Sequence, residues 1–151
     1  MTDSIPKILV LDDDPLVTRN LEVVLRIDDA FDPQTFNEPK EALGWIELHQ
    51  IDALLVDFQM PAMNGIDFLM RAKELQPAAA RLMLTGYADK DSAIRAINDI
   101  GLYHYLEKPW DNTALKLALR NAVERTRLVR RLREQTQALN GVRDDLWRLL
   151  V

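Results

Sequence analysis

The sequence ALLVDFQMPAMNG, residues 53–65, contains a strand, a carboxylate and a loop in immediate succession. Ala53–Val56 is an unbroken apolar run, Asp57 follows it directly, and Pro61 and Asn64-Gly65 mark the loop beyond. A short run without polar interruptions is typical of a strand that is buried on both faces of a parallel sheet. The segment therefore predicts a central strand with an acidic side chain at its carboxyl end.

Strand patterns recur on both sides of this segment. They cover Lys7–Leu11, Phe31–Phe36, Arg81–Leu84 and Leu102–Leu106. Helical patterns fill the intervals: from Asp14-Pro15 to about Asp28, from Asn37 to Leu48, from Ile66 to Leu75, from Asp89 to Ile100, and from Asp111 well past Val123. We expect side-chain caps at Asp14, Asn37 and Asp111, since short oxygen-bearing side chains are favoured there. Alternating strands and helices predict βαβ units around a parallel sheet.

The composition excludes several classes of protein. The 151 residues include no cysteine, so neither a disulfide framework nor a thiolate metal site is available. No apolar stretch approaches the roughly 20 residues of a membrane span, and the start lacks a signal-peptide pattern. We therefore expect a cytoplasmic protein without a membrane partner. The net charge of −5 argues against direct binding to nucleic acid.

One segment departs from the acidic average of the chain. Arg120–Arg133 is locally basic, with six arginines against the single acid Glu124. Two interpretations are open: a solvated helix face, which charge runs usually form, or a stripe that binds phosphate groups.

The last predicted helix changes character after Thr126. Beyond that residue, side chains spaced alternately by four and three form a heptad seam: Leu128, Leu132, Gln135, Leu139, Val142, Leu146 and Leu149. We expect this seam to form a parallel dimeric coiled coil. Asn140-Gly141 leaves a helical hairpin as the alternative, because glycine weakens a helix and Asn-Gly also favours a turn.

The residues that follow the strands are suited to phosphoryl chemistry. Parallel strands bring their carboxyl ends to one edge, where open α/β sheets bind ligands. Asp12 and Asp13 follow the first strand, Asp57 the third, Thr85 the fourth and Lys108 the fifth. Three crowded carboxylates need a cation, and Mg²⁺ prefers hard oxygen ligands. A hydroxyl and an ammonium beside them suit the oxygens of a phosphoryl group.

These motifs resemble the receiver domain of two-component response regulators. The residues that carry the resemblance are VLDDDP (10–15), DFQMPAMNG (57–65), LTG (84–86) and Lys108-Pro109, between Lys7 and about Arg125. The resemblance implies a flavodoxin-like, doubly wound (βα)5 sheet with strand order 2-1-3-4-5. It also implies a receiver domain over residues 1–125, which leaves 126–151 as a helical extension.

The resemblance assigns the acidic residues. Asp57 is expected to accept a phosphoryl group from a sensor histidine kinase or a histidine phosphotransfer protein. Asp12 and Asp13 are expected to hold Mg²⁺ together with Asp57 and the backbone carbonyl of Gln59. The chain would then be a phosphorylation-activated switch that assists only its own phosphorylation and dephosphorylation, and not an enzyme with a separate substrate.

The resemblance also assigns the groups that respond to phosphorylation. Lys108 is expected to pair with the phosphoryl group and to precede a cis peptide bond at Pro109. Thr85 and Tyr105 are the expected switch residues, acting through the surface of helix four, strand five and helix five. Gln59 and Tyr87 occupy positions where the family tunes the lifetime of the phosphate.

An output domain is the expected destination of the signal. The sequence EKPWD, residues 107–111, resembles receivers joined to cyclic-di-nucleotide phosphodiesterases, to other second-messenger enzymes or to ATPase-type transcription activators. The extension would carry the signal to such a domain.

Two alternatives lead to different functions. Asp12 and Asp14 after a hydrophobic strand also resemble the first motif of haloacid-dehalogenase-type phosphatases, with Asp12 as nucleophile and Asp14 as general acid and base. That family needs an acidic pair after the lysine, whereas KPWDN, residues 108–112, offers one acid. The second alternative is an adaptor that dimerises through Leu128–Leu149 without phosphorylation.

Overall fold

A five-stranded parallel sheet forms the centre of the molecule. The computed structural model describes residues 4–86 and 89–150. The strands are β1 (Lys7–Leu11), β2 (Asp32–Phe36), β3 (Ala53–Asp57), β4 (Ala80–Thr85) and β5 (His104–Glu107). They are ordered β2-β1-β3-β4-β5, and each neighbouring pair is parallel. The predicted fold class and strand order are confirmed.

Within the described residues, five α-helices alternate with the strands, as predicted, and a short 3-10 helix, Ile27–Asp29, follows the first of them. The α-helices are α1 (Pro15–Arg26), α2 (Pro39–Leu48), α3 (Gly65–Leu75), α4 (Lys90–Ile100) and α5 (Asn112–Leu150). The predicted caps of the first and last helices are confirmed. Asp14 Oδ1 accepts a hydrogen bond from the Leu16 N–H at 3.0 Å, and Asp111 Oδ2 accepts one from the Ala114 N–H at 2.9 Å. Asn64 caps α3 in the same way, through the Asp67 N–H at 2.8 Å.

The prediction that Asn37 caps α2 is wrong. The cap position belongs to Glu38, whose side chain makes no capping hydrogen bond. The Asn37 amide instead donates to the backbone carbonyl of Asp12 at 2.9 Å and to the Thr18 hydroxyl at 3.0 Å. Its side chain is therefore turned toward the end of β1, where two acceptors compete successfully with the helix start.

Two apolar layers cover the sheet, because successive strand residues point to opposite faces. On β1, Leu9 and Leu11 belong to the layer that includes Phe68 of α3, and Ile8 and Val10 belong to the layer that includes Leu119 of α5. β3 is buried along its whole length. The residues at the carboxyl ends of β1, β3 and β4 consequently follow strands that are paired on both sides.

Helix α5 has two parts with different surroundings. Leu115, Leu119, Ala122 and Val123 are buried against the sheet, as the apolar spacing predicts. The apolar residues of the heptad seam are exposed instead, with Leu139 70% exposed and Leu149 83% exposed. The helix is continuous from Asn112 to Leu150, so the alternative of a hairpin that breaks at Gly141 is wrong. Among the described helices, none is both long and apolar enough to cross a membrane.

Candidate functional site

The carboxyl ends of β1, β3, β4 and β5 bring the predicted site residues together. Asp12 follows β1, Asp57 ends β3, Thr85 ends β4 and Lys108 follows β5. Asp12, Asp57 and Thr85 are buried, at 1%, 6% and 0% exposure. The expected cis bond between Lys108 and Pro109 is present.

Lys108 is the cationic centre of this group. Its ammonium nitrogen lies 2.8 Å from Asp57 Oδ1 and 3.1 Å from Asp12 Oδ2. The second oxygen of Asp12 accepts a hydrogen bond from the Asp14 N–H at 2.9 Å. One ammonium thus bridges two buried carboxylates that come from different strands.

The acidic residues form a cluster with the geometry of a cation site. Asp12, Asp13 and Asp57 each offer a carboxylate oxygen, and these oxygens lie within 4.8 Å of one another. Three hard oxygen donors beside a single ammonium match the ligand preference of Mg²⁺. The donor set therefore fits the predicted ion.

Burial decides the direction of the pKa shift for the two buried carboxylates, but not for Lys108. Loss of hydration raises the pKa of Asp57 above its ordinary value, although the hydrogen bond from Lys108 opposes this shift. Burial likewise raises the pKa of Asp12. Burial acts to lower the pKa of Lys108, but its hydrogen bonds to Asp57 and Asp12 outweigh this effect and leave that pKa raised.

The two predicted switch residues have contrasting environments. The Thr85 hydroxyl is buried and has no hydrogen-bond partner among the described residues. Tyr105 is half-buried and packs against the apolar layer that contains Met83. Met83 and Tyr105 are paired in register between β4 and β5. Tyr87 lies outside the described residues.

The loop after β3 passes close to the backbone of the site. A Cβ on Gly65 would lie 2.3 Å from the carbonyl oxygen of Asp57, so only glycine fits at this position. The Gln59 side-chain amide donates to Asp89 Oδ1 at 3.2 Å, which links this loop to the start of α4. Pro61, Asn64 and Gly65 thus shape the loop, as the sequence indicated, and the contact to Asp89 was not foreseen.

Other candidate residues have structural surroundings. Asp14 caps α1 and is not part of the carboxylate cluster. His49 stacks on Trp45 at 4.3 Å between ring centroids. The basic segment is divided: Arg120, Arg131 and Arg133 are exposed, whereas Arg127 and Arg130 form ion pairs with Asp52. The interpretation as a solvated face therefore holds for only part of it. Sequence reasoning missed Asp52 because an acid before a strand carries no local signal of its partner.

The sheet order and the placement of the acids and the lysine define a receiver-type α/β domain, and comparison with known proteins identifies the family. Residues 8–120 match the family model of the response regulator receiver domain. The chain belongs to this family.

Solved structures show the same fold. A response regulator receiver domain protein from Clostridium thermocellum is 34% identical, with a TM-score of 0.77; the alignment covers 83% of this chain and 99% of that one. A chain described as an adenylate cyclase from Rhodopirellula baltica is 29% identical, with a TM-score of 0.84, over 89% of this chain and 98% of that one.

Curated relatives are longer proteins. The hydrogenase transcriptional regulatory protein HoxA of Cupriavidus necator is 32% identical over 125 residues, which are 82% of this chain and 25% of that protein. The C4-dicarboxylate transport transcriptional regulatory protein DctD of Rhizobium meliloti is 27% identical over 141 residues, which are 93% of this chain and 30% of that protein. The chain thus spans about a quarter of the first of these relatives and under a third of the second.

Membership in the receiver family contradicts the phosphatase alternative. That alternative requires Asp14 as a general acid and base, but Asp14 is exposed and caps α1. It also leaves Asp57 without a role, although Asp57 is the buried partner of Lys108.

Proposed function

We propose that this chain is a phosphorylation-activated signalling switch in which Asp57 accepts a phosphoryl group. The observation that carries the proposal is the buried Asp57 carboxylate, held at a strand end 2.8 Å from the Lys108 ammonium. A donor with phosphohistidine chemistry, on a sensor histidine kinase or a phosphotransfer protein, suits this site. An Asp57 oxygen attacks phosphorus and forms an O–P bond, while the P–N bond breaks and its electron pair returns to the imidazole nitrogen.

Charge neutralisation is the main demand of this transfer. Lys108 already contacts the carboxylate that would carry the phosphoryl group, and it can pair with a phosphoryl oxygen after a small movement. Asp12, Asp13, Asp57 and the backbone carbonyl of Gln59 would hold Mg²⁺. When bound, this ion supplies positive charge beside the crowded carboxylates and the transferring group.

The response to phosphorylation is assigned to Thr85 and Tyr105. The buried Thr85 hydroxyl, with no partner among the described residues, can donate to a phosphoryl oxygen at the neighbouring strand end. Movement of Thr85 would open space in the layer beneath it, into which the half-buried Tyr105 can turn. The surface of α4, β5 and α5 would then present a different face to a partner. In this mechanism, the added charge of the phosphoryl group shifts the α4, β5 and α5 surface between two conformations.

The extension of α5 is proposed as the route to an output. Residues 1–125 would form the receiver and 126–151 a signalling helix that pairs two copies in a parallel coiled coil. The exposed apolar seam supports the pairing, because such a stripe is stabilised by burial against a partner helix. The alignment with DctD spans 141 residues, so it reaches past residue 125. An output domain joined to this helix, in a cytoplasmic regulator, is consistent with that likeness.

Intact mass spectrometry tests the phosphoacceptor directly. Wild type and Asp57→Asn are incubated with Mg²⁺ and a small-molecule phosphodonor such as acetyl phosphate. The expected result is one added phosphoryl group on wild type only, removable by hydroxylamine as acyl phosphates are. Asp14→Asn serves as a matched control, because it changes a nearby exposed carboxylate and keeps a side chain that can cap α1.

Two results would contradict the proposal. A hydroxylamine-labile adduct on Asp57→Asn would place the acceptor elsewhere. Absence of an adduct on folded wild type, both with acetyl phosphate and with a phosphorylated histidine phosphotransfer protein, would favour the adaptor that acts without phosphorylation.

A further inference from the structure

At the opposite end of β3 from Asp57, a second carboxylate is built into the sheet. Asp52 directly precedes β3 and is 9% exposed. Its backbone N–H donates to the carbonyl of Lys7 at 2.9 Å, and its carbonyl accepts from the Ala80 N–H at 3.1 Å. Asp52 is therefore held between β1 and β4 and has little freedom to move.

The Asp52 side chain joins α5 to this end of the sheet. Its Oδ1 accepts from Arg130 Nη1 at 2.8 Å and from Arg127 Nε at 3.4 Å, and its Oδ2 accepts from the Lys7 N–H at 3.0 Å. The side chains of Arg127 and Arg130 are only 17% and 19% exposed. Ion pairs with this degree of burial are screened much less than surface pairs.

The two arginines also bind the backbone around Asp52. Arg127 Nη2 donates to the carbonyl of Ser4 at 2.7 Å, and Arg130 Nη2 donates to the carbonyl of Ile51. Each guanidinium thus makes a forked contact with one carboxylate and one carbonyl. Such planar, multidentate contacts restrict orientation more than a single ion pair does.

These contacts lie close to the point where α5 leaves the body. Val123 and Thr126 are buried, and Val129 and Arg130 are half-buried, whereas every residue from 131 to 149 is exposed. The ionic contacts at Asp52 therefore lie at the point where the projecting helix leaves the sheet, and Val129 is the last half-buried apolar residue beside them.

The face that docks and the face that carries the seam are on opposite sides of the helix. With about 100° of rotation per residue, Arg127 and Arg130 lie on one side, and Leu128 and Leu132 lie about 150° away. Leu128 and Leu132 are accordingly 54% and 53% exposed. Docking of the arginines turns the seam outward.

We propose that Asp52 is a positioning residue that binds Arg127 and Arg130 and thereby fixes the direction in which the α5 extension leaves the receiver. The interaction surface is intramolecular, between the amino end of β3 and one face of α5. The inference depends neither on the phosphoryl chemistry nor on dimerisation. This contact would therefore also determine how a partner or domain attached through the extension is oriented relative to the receiver.

Distance measurements between two spin labels test this proposal. The chain has no cysteine, so Lys40→Cys on exposed α2 and Gln137→Cys on the exposed extension provide two unique labelling sites. Labelled protein is diluted with unlabelled chain so that only intramolecular distances contribute. Asp52→Asn keeps an acceptor for the Lys7 N–H and removes the charge that binds the arginines. Asp145→Asn is the control, because Asp145 pairs only with the neighbouring-turn Arg148 among the described residues, at 3.6 Å, and is exposed.

We expect Asp52→Asn to broaden the distance distribution at least twofold, with Asp145→Asn unchanged. A distribution of wild-type width in folded Asp52→Asn would overturn the proposal. Arg130→Gln and its matched control Arg131→Gln provide a second comparison. Both substitutions lie on α5 and leave the sheet unchanged. Broadening by Arg130→Gln alone is expected, and equal distributions for these two variants would also overturn the assignment.

Discussion

The Lys108 ammonium lies 2.8 Å from Asp57 Oδ1. Asp57 ends β3 and Lys108 follows β5, and β4 separates these two strands in the sheet. The cation offsets part of the free-energy cost of burying Asp57, and the same contact would place positive charge beside a transferred phosphoryl group. Burial still raises the pKa of Asp57, so the ionised carboxylate is less favourable in the folded chain than in the unfolded chain.

Asp57→Asn is therefore expected to stabilise the chain at neutral pH in the presence of a chelator. A carboxyl group whose pKa is higher in the folded state than in the unfolded state lowers the free energy of unfolding at pH values above the folded-state pKa. This destabilisation disappears as the pH falls below that pKa toward the unfolded-state value. The variant should be more stable at pH 7 by about 1 kcal/mol, a common size for a single substitution. Urea denaturation at pH 7 and at lower pH measures the difference. A stability difference between Asp57→Asn and wild type that increases as the pH is lowered would contradict this expectation. Asp144→Asn is the control for the loss of an exposed acid.

Mg²⁺ is expected to stabilise wild type, since a ligand that binds only the folded state raises stability by mass action. The gain is about 2.7 kcal/mol at a concentration of 100 Kd. Asp13→Asn removes one of the three clustered carboxylates and should lose most of this gain. Thermal denaturation with and without Mg²⁺ measures it. Asp14→Asn lies outside the cluster and should respond as wild type does; an equal loss in both variants would argue against the assigned ligands.

Gly65→Ala is expected to destabilise the chain by about 3 kcal/mol, near the upper end for overpacking. Its Cβ would lie 2.3 Å from the Asp57 carbonyl oxygen, and the backbone must shift to relieve the contact. Phosphorylation from a small-molecule donor should slow as well, because the shift displaces the acceptor strand end. Gly44→Ala has open space around its Cβ in α2 and should be neutral or up to about 1 kcal/mol more stable. Similar unfolding midpoints for the two variants would refute the steric argument.

Thr85→Val is expected to leave the unphosphorylated chain as stable as wild type or slightly more stable. The substitution removes a buried hydroxyl that has no partner within the described part of the chain and keeps the shape of the side chain. Thr18→Val is the matched control, because the Thr18 hydroxyl bonds to Pro15 and Asn37, and its loss should cost about 1–3 kcal/mol. Denaturation of both variants provides the comparison. A large loss for Thr85→Val would show that its hydroxyl already has a structural role.

Leu139→Lys is expected to weaken self-association at least tenfold, because it places a charge in the apolar seam. Gln137→Lys adds the same charge on another face of α5 and should leave association unchanged. Gly141→Ala should strengthen it, since the helix is continuous there and alanine is favoured over glycine by about 1 kcal/mol. Sedimentation equilibrium gives the dissociation constants. Wild-type association in Leu139→Lys would exclude the seam as the dimer interface.

Sequence patterns predicted the elements of this fold because their causes are local. The bounds of β1 agree residue for residue, and the starts of α1 and α5 follow from caps at Asp14 and Asp111. The positions of Asp12, Asp57, Thr85 and Lys108 at strand ends were also predictable, since parallel strands bring their carboxyl ends to the same edge. Asn37 misled this reasoning, because its side chain bonds to Asp12 and Thr18 and not to its own helix. The fifth strand was also predicted too early, at Leu102–Leu106, whereas β5 spans His104–Glu107.

Contacts between distant parts of the chain required the tertiary structure. Arg130 and Asp52 are 78 residues apart, and nothing near either residue indicates that a helix face and a strand start will meet. The same holds for the Thr85 hydroxyl, which has no partner in the part of the chain that the structure describes, and for the close approach of Gly65 to Asp57. Strand periodicity and capping act over a few neighbouring residues, so the sequence alone determined the elements, their order along the chain and the residues at their ends. Burial and pairing of charges depend on how those elements pack, so only the tertiary structure decided which arginines bind the body and which face of α5 remains exposed.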